Sequence, residues 1–218
     1  MQYDPYVLPY SKVTLTTQVS GQINLGSSLV AYSKLDGNTN DESVLGINGT
    51  ATGTTLTTGK TGVTNTAYSF NGTNSGIECG TGNRGVVDTI TISAWVKTTS
   101  LSLGFIVGKY DWVANKGYHL FITNGNIALA GRNNGSTYIN TRIGSVGNFV
   151  AYGNWHFVVG EIAGNRWTAW VDCIQVNQVF STASSPNLAY SESLTIGYYD
   201  EVNNSPSLFY DGDIDESL

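Results

Sequence analysis

The clearest secondary-structure signal in the chain is the stretch Thr91-Ile92-Ser93-Ala94-Trp95-Val96-Lys97, which is rich in β-branched and aromatic residues. This composition predicts a β-strand. Further along, the runs 118–123 and 126–130 also read as strands, and only Asn124-Gly125 separates them. An Asn-Gly pair favours the positive φ angles of a two-residue hairpin turn. These two stretches predict antiparallel β-structure.

The rest of the 218-residue chain repeats this pattern of short strands and polar turns. Aromatic residues make up 11% of the chain and charged residues only 12%, a balance typical of strands joined by tight turns rather than of helical bundles. No stretch keeps a helical period over ten residues. We therefore predict an all-β fold, in which a dozen or so strands form a two-sheet antiparallel sandwich.

The charge distribution argues against two classes of partner. The formal net charge is −6, and no cluster of Lys and Arg occurs. Binding to nucleic acid or to an anionic membrane surface needs such a cluster, so neither is expected. No apolar run is long enough to span a bilayer, and the first residues show no signal peptide. Cys79 and Cys173 lack a CxxC spacing and are expected to be buried free thiols.

The first part of the chain differs from the rest. Val13, Leu15 and Val19 alternate with polar residues, which is the period of a half-buried strand. We therefore divide the chain into an N-terminal arm or docking strand, residues 1–28, and one domain, residues 29–218. The arm is expected to pack on the domain or on a neighbouring subunit.

The ordered series of strand motifs resembles the laminin-G-like, concanavalin A-like jelly roll of bacterial surface and bacteriophage proteins. The segments that carry the resemblance are 29–32, 35–41, 67–72, 90–97, 154–160, 170–172, 194–197 and 211–216. This resemblance implies a concanavalin A-like jelly-roll sandwich over residues 29–218. The same fold serves lectins, adhesion modules, glycosidases and structural domains, so it does not fix the ligand.

The resemblance also implies where the protein is located and what it does. Such modules are usually exported, and a bacteriophage virion surface protein needs no signal peptide. We therefore expect a non-catalytic structural and recognition module on a virion, which contacts neighbouring subunits through residues 1–27 and engages a host glycan or protein. The alternative is a bacterial cell-surface carbohydrate-binding or adhesion module. Members of the family usually continue past the segment 214–216 with one more strand. Either the chain is cut short here, or an open sheet edge is expected there, which the arm is a candidate to fill in its own or a neighbouring copy.

A structural calcium ion is a further implication, because related jelly rolls often hold one near the rim. The matching residues are Asp36 and Asp41 in the first acidic loop, with Asp213 or Asp215 near the other end of the chain. An EF-hand is excluded, since the loop has Asp41 at its sixth position and Ile47 at its twelfth. The alternative, that these acidic residues are simply solvated, stays open.

No catalytic group is predicted. Asp211, Asp213 and Asp215 place three carboxylates on one face of a strand, roughly 7 Å apart, and glycosidases use two carboxylates at about this separation. In the jelly-roll glucanases, however, the paired acids lie on a strand in the middle of the chain. His119 and His156 sit within apolar strand patterns, and no nucleophile elbow occurs. We therefore expect a protein that is not an enzyme.

Aromatic residues in predicted loops are the candidates for ligand binding. The predicted ligand-binding residues are Trp112, Tyr198, Tyr199 and Asn203, which lie in or beside loops at the strand-connecting rim. Sugars stack on exposed aromatic rings, while amide and carboxylate groups bond their hydroxyls. Trp95, Trp155 and Trp170 lie within strand patterns and are expected to pack in the core or on a sheet.

Overall fold

The computed structural model describes residues 28–81, 86, 88–111, 116–133, 137–140, 150–180, 192–201 and 205–218. The predicted arm lies almost wholly outside these residues, so its boundary with the domain stays a prediction. The described residues form β-strands without an α-helix, and none of their segments is a helix able to cross a membrane. In chain order the strands are β1 (Thr50–Thr52), β2 (Thr55–Thr57), β3 (Ala67–Asn71), β4 (Gly76–Glu78), β5 (Thr89–Lys97), β6 (Gly104–Asp111), β7 (Lys116–Thr123), β8 (Asn126–Asn133), β9 (Thr137–Asn140), β10 (Trp155–Ala163), β11 (Arg166–Val171), β12 (Ile174–Phe180), β13 (Thr195–Ile196), β14 (Tyr199–Glu201), β15 (Ser205–Ser207) and β16 (Asp211–Ser217).

Two seven-stranded antiparallel sheets make up the sandwich. Sheet I has the order β12-β11-β10-β5-β16-β3-β2, and sheet II has the order β1-β4-β13-β6-β7-β8-β9. The short hairpin β14-β15 stands apart from both. The prediction of an all-β, two-sheet antiparallel sandwich is thus confirmed.

The core lies between the two sheets. The sheets approach so closely that a Cβ on Gly160 of sheet I would lie 2.9 Å from Leu129 Cδ1 of sheet II, while one on Gly131 would lie 2.9 Å from Trp167 Cη2. Side chains alternate between the two faces of a strand, so every second residue reaches this core. Its buried residues include Phe70, Ile92, Val96, Val158 and Trp167 from sheet I, with Ile77, Ile106, Leu120, Leu129 and Ile196 from sheet II.

Two tight turns set the register of long hairpins. Asn124 and Gly125 both have positive φ, at 50° and 73°, and connect β7 to β8 as the Asn-Gly pair predicts. Asp172 and Cys173 form the corresponding turn between β11 and β12, with φ of 49° and 66°. Cys173 is therefore exposed, whereas Cys79 is buried. The prediction of two buried thiols is correct for Cys79 and wrong for Cys173, because a two-residue turn projects from the sheet.

The last strand lies inside sheet I, not at its edge. β16 pairs with β3 on one side and with β5 on the other. Beyond it, Leu218 exchanges two backbone hydrogen bonds with Ser93, and Ser33 exchanges two with Ser217. The open edge expected beside this segment is therefore not found in the described residues. The edges of sheet I are β12 and β2.

Candidate functional site

The first acidic loop is organised by one carboxylate. Asp41 Oδ1 accepts hydrogen bonds from the backbone N–H groups of Tyr32 and Ser43, at 3.0 and 2.9 Å, and its Oδ2 accepts one from Ile47 at 3.0 Å. Burial alone would raise the pKa of Asp41, but these hydrogen bonds to the charged form hold that pKa below its usual value. Asp36, in the same loop, is exposed.

The acidic residues of β16 are paired with lysines. Asp213 Oδ2 lies 3.3 Å from Lys97 Nζ. Asp215 accepts the backbone N–H of Lys60 at 2.9 Å, and its other oxygen lies 3.6 Å from Lys60 Nζ. Burial raises the pKa of Asp215 above its usual value, although the contacts with Lys60 oppose the shift. Asp213 and Asp215 thus each have a lysine partner.

The structure does bring part of the first loop close to the end of β16. Burial raises the pKa of Tyr32, and the negative charges of Glu216, Asp36, Glu42 and Asp215 raise it further. In the part of the chain that the structure describes, however, no group of three or more His, Cys, Asp or Glu side chains is arranged to hold a metal. The calcium ion expected at Asp36, Asp41 and Asp213 or Asp215 stays a prediction.

The structure describes two of the four predicted ligand residues, Tyr198 and Tyr199. Trp112 and Asn203 fall outside the described residues. Tyr198 is 8% exposed and stacks on Phe209, with ring centroids 6.0 Å apart. Tyr199 is 5% exposed and packs against Phe105, with centroids 5.0 Å apart. Both described tyrosines therefore pack within the protein and offer little surface to a ligand; their assignment as ligand residues stays a prediction.

A buried cluster of aromatic side chains, which includes Tyr199, lies on the outer face of sheet II. His119 lies at its centre, with its ring 4.2 Å from that of Phe105 and 5.0 Å from that of Tyr110. Burial lowers the pKa of His119 to about 3, so its imidazole is neutral at physiological pH. The second histidine, His156, lies with Nδ1 2.8 Å from Asp172 Oδ2.

A group of partly exposed aromatic side chains lies on the outer face of sheet I. We call it the aromatic band: Trp95 on β5, Trp155 and Phe157 on β10, and Trp170 on β11, all of them partly exposed. Their strand neighbours Ala94, Val96, Val158 and Val171 are buried in the core, so the band faces away from it. Trp95 and Phe157 are cross-strand partners with ring centroids 5.3 Å apart.

Charged and amide side chains border the aromatic band. Lys60 Nζ lies 5.7 Å from the ring centroid of Trp95, and Lys97 Nζ lies 5.8 Å from that of Trp155, distances at which a cation is attracted to an aromatic face. On the other side, Trp170 stands opposite Gln175 of β12. The band therefore has lysine–carboxylate ion pairs at one border and an amide side chain at the other.

The sequence predicted core or sheet packing for the three tryptophans of the aromatic band and did not propose them as ligand residues. Their position on the sheet is confirmed, but they lie on its outward face. The alternation of Ala94, Trp95 and Val96 indicates this orientation in the sequence. Because successive side chains of a strand lie on opposite faces, Ala94 and Val96 share one face and Trp95 lies on the other.

The chain is similar to proteins of one family. Residues 70–217, about two thirds of the chain, match the sequence profile Laminin_G_3, described as the concanavalin A-like lectin/glucanases superfamily. The match runs from β3 to the end of β16. A comparison with curated proteins gives no match.

Solved structures share this fold. Domain 4 of AbnA, a GH43 extracellular arabinanase from Geobacillus stearothermophilus in complex with arabinotriose, has a TM-score of 0.61 at 20% identity, over 86% of this chain and 89% of that one. The binding domain of Paraclostridial Mosquitocidal Protein 1 has a TM-score of 0.61 at 12% identity, over 85% and 46%. Domains LG4-5 of the mouse laminin α1 chain give 0.51 at 17%, over 61% of this chain and 36% of theirs. This chain thus spans about a third of the laminin structure, and at these identities the similarity is one of fold.

Proposed function

Because the chain belongs to the concanavalin A-like lectin/glucanase superfamily, we propose that it is a non-catalytic recognition module that binds a glycan on the outer face of sheet I. The observation that carries the proposal is the aromatic band. Three tryptophans and a phenylalanine are partly exposed on one sheet face, although such side chains are normally buried in a hydrophobic core. Exposed aromatic surface of this kind is typical of a binding site.

The arrangement suits a carbohydrate chain. Sugar rings have apolar faces that stack on aromatic rings, and their hydroxyl groups need hydrogen-bond partners around those rings. Gln175 at one border and the Lys97–Asp213 pair at the other supply such partners on the same face. Domain 4 of AbnA, which has a similar fold, was solved with arabinotriose, and this makes arabinotriose a reasonable first probe.

The acidic strand supports a role without catalysis. Asp213 and Asp215 each lie within an ion pair with a lysine, and Asp215 is buried. A glycosidase needs one carboxyl group able to give up a proton to the leaving group and a second, charged one across an open cleft. Carboxylates that are ion-paired with lysines stabilise the sheet instead.

The wider setting that we propose is the surface of a bacteriophage virion. There residues 1–27 would contact neighbouring subunits, and the sandwich would face a host glycan. The alternating apolar residues of the arm support a docking role. The alternative, a bacterial cell-surface carbohydrate-binding module, predicts the same glycan binding with no self-association through the arm.

A glycan array with the fluorescently labelled chain tests the binding proposal, with arabinotriose included among the immobilised sugars. Trp170→Ala should weaken binding to the best glycan about tenfold or more, because a stacked aromatic commonly contributes at least ~1.4 kcal/mol. Val44→Ala is the control, since Val44 is an exposed apolar residue outside the aromatic band. Equal loss of binding in both variants, or no binding to any immobilised sugar, would contradict the proposal.

A further inference from the structure

A second exposed apolar surface lies at one end of the sandwich. We call it the end patch: Leu101, Leu103, Tyr152 and Leu208, which are 56%, 40%, 68% and 38% exposed. The loops that carry these residues are joined by backbone hydrogen bonds. Asn124 donates to the carbonyl of Leu101 at 2.9 Å, and Phe105 donates to that of Leu208 at 3.0 Å. The patch is therefore a fixed part of the fold.

The end patch has no charge of its own. Its loops, residues 98–103, 124–125, 150–154 and 205–210, contain no Asp, Glu, Lys or Arg, in a chain whose net charge is −6. The 150–154 loop closes onto the others, because Gly153 donates to the carbonyl of Thr98 at 2.8 Å. An uncharged, contiguous apolar surface is a feature of protein–protein contact sites.

The described chain shows its first pairing away from the end patch. β5 ends at Lys97 beside the end patch, and β16 runs antiparallel to it, from Asp211 next to the patch to Ser217 opposite Ala94. Ser33 pairs antiparallel with Ser217, so Ser33 lies at the end of β16 that is away from the patch, and the chain there runs toward the patch.

We propose that the end patch receives residues 1–27 of a second copy of this chain. The arm carries alternating apolar residues at Val13, Leu15 and Val19, and its two charges, Asp4 and Lys12, cancel. A neutral, apolar, strand-like segment suits a neutral, apolar surface. The proposal rests on the docking role of the arm in the proposed function and adds the surface on which the arm docks.

The contact would be heterologous, because it joins two different surfaces, the arm of one copy and the end patch of another. A pair of copies then keeps one unused arm and one unused patch, so further copies can add head to tail to form rings or open chains. A 27-residue arm can reach about 90 Å when extended, which also allows docking on its own domain. A test must therefore distinguish a contact between copies from one within a copy.

Complementation between two defective chains makes this distinction. The patch variant carries Leu101→Ser and Tyr152→Ser with the arm intact, and the arm variant lacks residues 1–27 with the patch intact. Light scattering after size-exclusion chromatography should find oligomers for the full chain and monomers for each variant. A mixture of the two variants should give a 1:1 heterodimer, since it contains one arm and one patch that can still meet.

The matched control carries Val44→Ser and Val63→Ser, because these residues are 74% and 55% exposed and lie on other loops. It should associate like the full chain, whereas the patch variant should dissociate about 10- to 100-fold more readily, the usual effect of losing a buried leucine-sized contact. Circular dichroism verifies that each variant is folded.

Three results would overturn the proposal, and they have different meanings. Arm-dependent oligomers that tolerate the patch substitutions would exclude this surface but keep the docking role of the arm. Monomeric variants that fail to form a heterodimer, beside an oligomeric full chain, would show that one arm and one patch do not hold two copies together. A monomeric full chain at every concentration would exclude arm-mediated assembly altogether, while the glycan array would still judge the binding role separately.

Discussion

Acidification should destabilise this protein through His119. The imidazole is fully buried among aromatic rings, and burial lowers its pKa from 6.5 to about 3. Between these two pH values the unfolded chain binds a proton that the folded chain does not, so the free energy of unfolding falls as the pH falls below 6.5. Above pH 6.5 both states are neutral at this residue, and the effect disappears.

The size of the effect follows from the difference in pKa. Each pH unit below 6.5 costs about 1.4 kcal/mol, so unfolding at pH 5 should be roughly 2 kcal/mol easier than at pH 7. This is a large fraction of the stability of an ordinary domain. Because the chain has only two histidines, few other groups change charge in this interval.

Urea denaturation at pH 7 and pH 5 measures the difference directly. His119→Phe keeps an aromatic ring in the cluster with Phe105 and Tyr110 and removes the titrating group, so its stability should change little between the two pH values. Val44→Ser, at an exposed position without a titrating side chain, is the control and should keep the dependence of the full chain. The reasoning is refuted if the full chain is equally stable at both pH values, or if His119→Phe retains the whole difference.

Two further predictions concern the first acidic loop. In EDTA, Asp41→Ala should lower the free energy of unfolding by about 1–3 kcal/mol, because three backbone N–H groups lose their acceptor. Asp41→Asn should cost less, and Asp36→Ala, at an exposed position, should change little; equal effects of all three in urea denaturation would contradict this role for Asp41. If calcium binds as the family resemblance implies, replacing EDTA with calcium should raise the melting temperature of the full chain and not of Asp36→Ala. An unchanged melting temperature would argue for simple solvation of the loop.

Local sequence signals predict much of the fold. The hairpin at Asn124-Gly125 follows from the backbone preferences of two residues, and the strand around Trp95 follows from composition. Pairing between distant segments leaves no comparable local signal. The segment 29–32 carries one of the strand motifs of the resemblance, yet it is not a strand, and Ser33 after it forms isolated bridges with Ser217 and Asp41. The position of β16 inside sheet I is likewise a property of the whole sheet.

The candidate site was harder to predict, because the sequence favours loops as binding regions. Tyr198 and Tyr199 flank a loop-like segment, but the fold buries both. Trp95 and Trp170 lie in strands, which suggests packing, and their exposure depends on which side of sheet I faces sheet II. Alternation within one strand marks the two faces, but only the assembled sandwich shows which residues outside the core remain open to a ligand.

The measurement that tests the central claim most directly is the affinity of the chain for its best array glycan, determined by titration calorimetry before and after Trp170→Ala. The unchanged chain is expected to bind, and the variant to lose affinity by about tenfold or more, with Val44→Ala unaffected and all three proteins equally folded. Full affinity in the Trp170→Ala variant would contradict the assignment of the aromatic band as the recognition surface.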